Sequence, residues 1–315
     1  MVRSFSLALT FILLLTGFAQ PATLSSGPEF LTKIDADIAS GTLSAEEGLM
    51  IKFNHVFDRD QVPAQYRVEG FAPLKCVTPM VEEFEAMRGS LPRNFVEKID
   101  SFLTLEESRL TYNSPSGRFH LDYYTSGSNA VPTEDTNPAN GVPDYIEKIA
   151  VYFDTSWEVE VMGHGFQAPP IGASSYAISF AAMESYGYTT VVNSATGLTR
   201  IVMHPTFQGF PPNDDPEGDV WGAAKVTAAH EFKHATQYAT SRWSEGGWNE
   251  VDATWAEDLV YDAVNDYYNY LPGDSPIRHP EISLDGGSTN TGSYEDCVWE
   301  TWMSETWGVD FITDY

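Results

Sequence analysis

The stretch that most constrains this chain is His230-Glu231-Phe232-Lys233-His234. Two histidines four apart share one face of an α-helix, a turn above each other. Both imidazoles can then reach one metal ion, and zinc favours tetrahedral nitrogen and oxygen donors. Glu231 lies about 100° around the helix from His230. It therefore reaches a metal-bound water and not the metal. Zinc lowers that water's pKa to about 7, and a nearby carboxylate can take the proton. The pattern needs a helix, and its flanks supply one. Gly222 to Ala229 and Ala235 to Ala239 are rich in alanine and lack proline. Asp219 is the candidate N-cap.

Two imidazoles do not complete a catalytic zinc site, which usually has three protein ligands and a water. No histidine follows at the spacing H-E-x-x-H-x-x-G-x-x-H, so the third donor comes from elsewhere, and a carboxylate is favoured. A turn at Ser244 to Gly247 leads into a helical stretch, Trp248 to Tyr261. Glu250 and Glu257 are seven apart on it, on nearly one face. If this helix runs antiparallel to the first, Glu250 can ligate and Glu257 can brace a ligand imidazole. The plain alternative for either glutamate is an exposed helix charge.

The chain has 315 residues, 42% of them hydrophobic, which is ample for a core. Its net charge of −28 argues against nucleic-acid partners and anionic membranes. That charge suits calcium uptake or, more simply, a solvated acidic surface. Met1-Val2-Arg3 before the apolar run Leu7 to Leu15 reads as a secretory signal peptide, with cleavage near Ala19 or Ala22. The run is too short for a membrane anchor, and no other stretch is long enough. An exported protein follows, extracellular and with no membrane span in its mature chain. In an oxidising compartment Cys76 and Cys297 could pair, tying the two ends together; two separate buried thiols are the alternative.

Residues 23–112 read as a helical leader or pro-segment. Phe30, Leu31, Ile34 and Ile38 have helical spacing, and Ser44 with Glu47 forms a capping box for a second helix. Val81 to Met87 and Phe95 to Leu105 are further helices. Gly117 to Tyr124 alternates like a strand, with His120 on its face. Asp135, Asn137, Asn140 and Asp144 cluster around Gly141 in the manner of a calcium loop, although Pro138-Ala139 breaks the EF-hand spacing. A turn that caps the next helix competes with that reading. The helix itself carries Ile146, Ile149, Phe153, Trp157 and Val161 on one face and ends at Gly163-His164-Gly165. Ser175 to Phe180 and Thr199 to His204 read as strands. The second could be an edge strand that binds an extended peptide, and His204 is a spare metal candidate. The chain stops at Tyr315 without a capping signal, so a longer natural protein is expected.

H-E-x-x-H followed by N-E-x-x-A-x-x-x-E resembles the gluzincin metalloproteases. More closely, three segments resemble a group of secreted bacterial metalloproteases. These are His230 to Gln237, Trp248 to Asp258 and Asn140 to Tyr145. The resemblance covers roughly two thirds of the chain. It implies zinc on His230, His234 and Glu250, Glu231 as general base, and a protein or peptide substrate. It also implies a downstream oxyanion-stabilising tyrosine, for which Tyr294 and Tyr261 are candidates. Two departures stand out. Lys233 replaces an apolar or aromatic residue, and Val251-Asp252 replaces the more usual Gly-Thr.

The expectation is an α+β, zincin-like fold in residues 113–315, after a signal peptide at 1–22 and the leader. It has a twisted mixed sheet, an active-site helix under an edge strand, and a mainly helical C-terminal part. The expected activity is zinc-dependent peptide-bond hydrolysis, with calcium as a second candidate ion. The alternatives are a catalytically inactive zincin fold and a calcium-dependent extracellular binding protein.

Overall fold

The computed structural model describes residues 29–314 apart from 69–72, 105–109, 172–174, 273–274, 283 and 285–293. The proposed signal peptide lies outside the described residues.

Helices α1 (Glu29–Ala39) and α2 (Ala45–Phe57) open the described chain. Ser44 caps α2 with both bonds of a capping box: its hydroxyl accepts from Glu47 N, and Glu47 Oε2 accepts from Ser44 N. A three-residue strand, β1 (Leu74–Cys76), follows, then α3 (Thr78–Met87) and α4 (Arg93–Leu103). β2 (Leu110–Asn113) and β3 (Phe119–Tyr123) form an antiparallel pair. Helix α5 (Asp144–Ser156) continues as a π-helical stretch, Trp157–Gly163. Strands β4 (Tyr176–Phe180), β5 (Ser185–Asn193) and β6 (Leu198–Met203) come next. The C-terminal part is helical: α6 (Asp219–Ser241), α7 (Trp248–Tyr261), α8 (Cys297–Trp307) and α9 (Val309–Asp314).

The six strands form one mixed sheet in the order β1-β5-β6-β4-β3-β2. β1–β5, β3–β4 and β4–β6 are parallel; β5–β6 and β2–β3 are antiparallel. Strand side chains alternate between faces. Ile201 and Met203 pack into a core with α5 and α6, whereas Val202 joins a core built with α1 to α4. The sheet is thus sandwiched between two helical layers. Residues before position 112 cover one of its faces and supply β1, so both sides of that position share one sheet.

The strand expected at an edge, Thr199 to His204, is interior: β6 lies between β5 and β4. Ile201, Val202 and Met203 are apolar on both faces, as fits a strand covered on both sides. The edges are β1 and β2. Cys76 and Cys297 form no disulfide and are free, buried thiols. Cys297 packs with Trp255 and Ala256 in a satellite core, while Cys76 sits on β1 beside α6.

Candidate metal centre

Helix α6 crosses beneath β5 and β6 and packs on α7. Gly187 makes the close approach possible. A Cβ there would meet Thr227 Cγ2 and Val202 O at 3.0 Å and Glu231 Cγ at 3.2 Å. Helix α7 brings Glu250 to the same place. His234 Nε2 lies 3.0 Å from Glu250 Oε1, and His230 Nε2 lies 3.3 Å from Glu250 Oε2. The two Nε2 atoms are 3.1 Å apart. Donors held about 2.0–2.1 Å from a tetrahedral zinc stand about 3.3 Å from each other, so the spacing suits one ion.

Hydrogen bonding makes the same point. His234 Nδ1 is 2.8 Å from Gln237 Oε1. The amide of Gln237 is oriented by its Nε2, which donates to Asn249 O at 2.9 Å and Asp252 Oδ2 at 2.8 Å. Its Oε1 is therefore an acceptor, and His234 must donate from Nδ1. His230 Nδ1 donates likewise to Glu257 Oε1 at 2.8 Å. Both Nε2 lone pairs are thereby turned inward, toward a carboxylate whose two oxygens accept no hydrogen bond and are buried. Acceptors facing acceptors away from water need a positive charge between them, a proton or a metal ion. Burial alone would depress His230, but Glu250 and Glu257 outweigh it and lift it to about 10, so in the absence of a metal ion a proton on Nε2 fills that role. Glu250, which burial alone would raise, is held well below the usual carboxylate range by His234 and His230.

The outer contacts fix both rings, as metal-binding imidazoles need. Glu257 is in turn held by Lys75 Nζ at 2.9 Å, and Lys75 also reaches Asp266 Oδ2 at 2.5 Å. Glu257 thus links the His230 ring to Lys75. Lys75, Asp266 and the role of Gln237 were not legible in the spacing. A lysine between Leu74 and Cys76 in an apolar run was the available signal.

Glu231 is fully buried. Its Oε2 is held by the hydroxyls of Thr189 at 2.9 Å and Thr78 at 3.2 Å. Its Oε1 faces Cys76 Sγ at 3.3 Å, and that sulfur is 3.4 Å from His234 Nε2. Burial raises Glu231 above its ordinary value, against the pull of His234 and His230. Cys76, His230, His234 and Glu250 offer donor atoms within 4.8 Å of one another, so four buried residues could hold a metal. Nothing in the sequence around Cys76 points to this place, because Glu231 and His234 are 155 and 158 positions away in the chain.

The remaining candidates divide. Tyr294 is buried with its ring centroid 6.3 Å from that of His230, and burial next to Glu250 and Cys76 keeps its hydroxyl protonated well past the ordinary range. Tyr261 donates to Tyr152 O at 2.8 Å, which ties it to α5. His120 bonds Asn113 and Asp122 on the far side of the sheet order. His204 Nδ1 accepts from the amides of Thr206 and Phe207. In the loop before α5, the Asp135 carboxylate accepts from the amides of Asn140 and Gly141, and Asp144 accepts from Thr136 and Asn137. Asn140 accepts from Val142 N and donates to Glu147. These oxygens tie the loop to itself, as in the capping-turn reading.

No protein family, curated protein or solved structure matches the chain.

Proposed function

We propose that this chain is a zinc-dependent peptide hydrolase, exported by the segment at residues 1–22. The observation that carries the reading is the inward convergence of two imidazole lone pairs and the two unbonded oxygens of Glu250, with the carboxylate of Glu231 alongside. His230, His234 and Glu250 would hold the ion. When bound, zinc supplies a Lewis acid for the scissile carbonyl and brings the pKa of water to about 7. Glu231 takes the proton of the attacking water and passes it to the leaving amine. Thr78 and Thr189 hold one oxygen of Glu231 so that the other points inward. Tyr294, whose ring lies 6.3 Å from that of His230, would be the donor to the developing oxyanion.

The test is a pair of measurements on purified protein. Zinc content should be stoichiometric in the wild type and fall in Glu250→Ala. Glu231→Gln should keep its zinc and lose hydrolysis of a peptide substrate; full activity in that variant would refute the role.

One observation favours a second reading. Cys76 Sγ belongs to the same buried cluster, and four protein donors make a closed site of the structural kind. An inactive zincin-like binding protein would then fit better than an enzyme.

A further inference from the structure

We propose that Cys76 is the fourth donor of the metal centre and that its sulfur holds the enzyme latent by filling the place of the attacking water. The proposal rests on the hydrolase reading above. It stands on position. A water activated by Glu231 must sit between the Glu231 carboxylate and the inward lone pairs of the imidazoles. Cys76 Sγ sits there, 3.3 Å from Glu231 Oε1 and 3.4 Å from His234 Nε2. Its place is built. β1 pairs with β5 through Leu74↔Ser185 and Cys76↔Gly187, and Val77 N donates to Gly187 O at 3.1 Å. Thr78 N donates to Cys76 Sγ at 3.3 Å, which orients the sulfur. Independently, both oxygens of Glu250, 1% exposed, have no hydrogen-bond partner, and Glu250 offers a donor atom to the same buried cluster as Cys76 and the two imidazoles.

Filling the fourth position converts an open site to a closed one. His230, Glu231, His234 and Glu250 are each at most 1% exposed, so no peptide reaches them in this arrangement. Opening therefore has two parts. The sulfur leaves and a water takes its position, the thiolate taking up a proton from solvent. The segment around Cys76 also moves away from the centre. β1 is the part of the sheet best suited to this, because it is three residues long and at an edge.

The experiment loads the full chain with cobalt and compares wild type, Cys76→Ala and Cys76→Ser. Thiolate coordination gives a sulfur-to-cobalt charge-transfer band in the near ultraviolet. Wild type should show the band, and both variants should keep one metal per chain and lose it. With zinc, both variants should cleave a peptide faster than wild type by about an order of magnitude or more, the fraction of competent protein having risen. Cys76→Ser keeps the side-chain volume and guards against misfolding in the alanine variant; circular dichroism checks both. A cobalt-loaded wild type without the band overturns the proposal. So does equal hydrolysis by wild type and both folded variants. The band in wild type with no hydrolysis from any variant overturns latency together with the hydrolase reading and leaves a closed structural centre. Failure of the wild type to bind any metal refutes the centre itself.

Discussion

Lys233 Nζ lies 3.1 Å from Asp252 Oδ1. The two residues come from α6 and α7 and are each other's ion-pair partner. Lys233 also sits 3.1 Å above the ring of Phe166. Asp252 Oδ2 holds the amide of Gln237, which in turn orients His234. The pair is buried, with side chains 1% and 12% exposed. Removing one member of a buried pair leaves an uncompensated charge and costs about 3–5 kcal/mol. Lys233→Leu alone should therefore be strongly destabilising, and adding Asp252→Thr should restore much of the loss. Urea unfolding of the two single variants and the double variant measures the coupling. Losses that simply added would show that the two charges do not act as a unit.

Glu257 and Gln237 decide the direction of the two Nε2 lone pairs. Loss of an outer partner of a metal-binding histidine typically lowers affinity about 10–100-fold. Glu257→Ala and Gln237→Leu should each weaken zinc binding by that factor in competition with a chromogenic chelator. His120→Ala, remote from the centre, is the control. Unaltered affinity in both variants would mean that the rings are oriented by packing alone.

The part of this centre that was legible lies within two helices. His230, Glu231 and His234 are related by helical period, and so are Glu250 and Glu257, so their faces can be read from spacing. The alternation of Phe119, Leu121 and Tyr123 likewise gave a strand, which β3 is. What could not be read is long-range. Cys76 meets Glu231 across 155 positions of chain, through a strand too short to show alternation. β5 was missed because Gly187, Thr189 and Thr190 dilute its apolar pattern. Gly187 is there for the approach of α6, and Thr189 is there for Glu231. The edge position given to β6 failed because β4 skips β5 and pairs in parallel with the other side of β6, a crossover that spacing does not show.

Lys75 is the only lysine or arginine in contact with Glu257 and Asp266 among the described ion pairs, and all three side chains are at most 2% exposed. Lys75→Met should cost about 3–5 kcal/mol of stability by stranding two carboxylates. It should also loosen His230 through Glu257 and weaken zinc binding. The double variant Lys75→Met with Asp266→Leu should recover part of the stability and not the metal affinity, because Glu257 still lacks its lysine. Recovery of both in calorimetry and metal titration would refute that separation.

Gly187→Ala tests the contact between sheet and helix. Its Cβ would press on Thr227, on Val202 O and on Glu231 Cγ, and the backbone oxygen cannot yield. Overpacking of this kind costs about 1–3 kcal/mol. Glu231 is the group displaced, so hydrolysis should fall while zinc content holds. A variant with unchanged activity and stability would show that α6 has room to withdraw.

His204 gives the stability a pH dependence of known sign. Its Nδ1 accepts from Thr206 N at 3.2 Å and Phe207 N at 3.0 Å, so that atom carries no proton in the fold. Burial lowers its pKa from 6.5 to about 4, and burial does the same to His55. Between those values the unfolded chain binds the proton more readily than the folded one, so stability rises with pH. On acidification it should be lost progressively from pH 6.5 to about 4, and these two groups should add no further slope below that. His204→Asn keeps an acceptor for the two amides and cannot titrate. Urea midpoints collected at intervals across this window should fall less steeply in the variant than in the wild type. Parallel curves would show that the ring remains unprotonated for a reason common to both states.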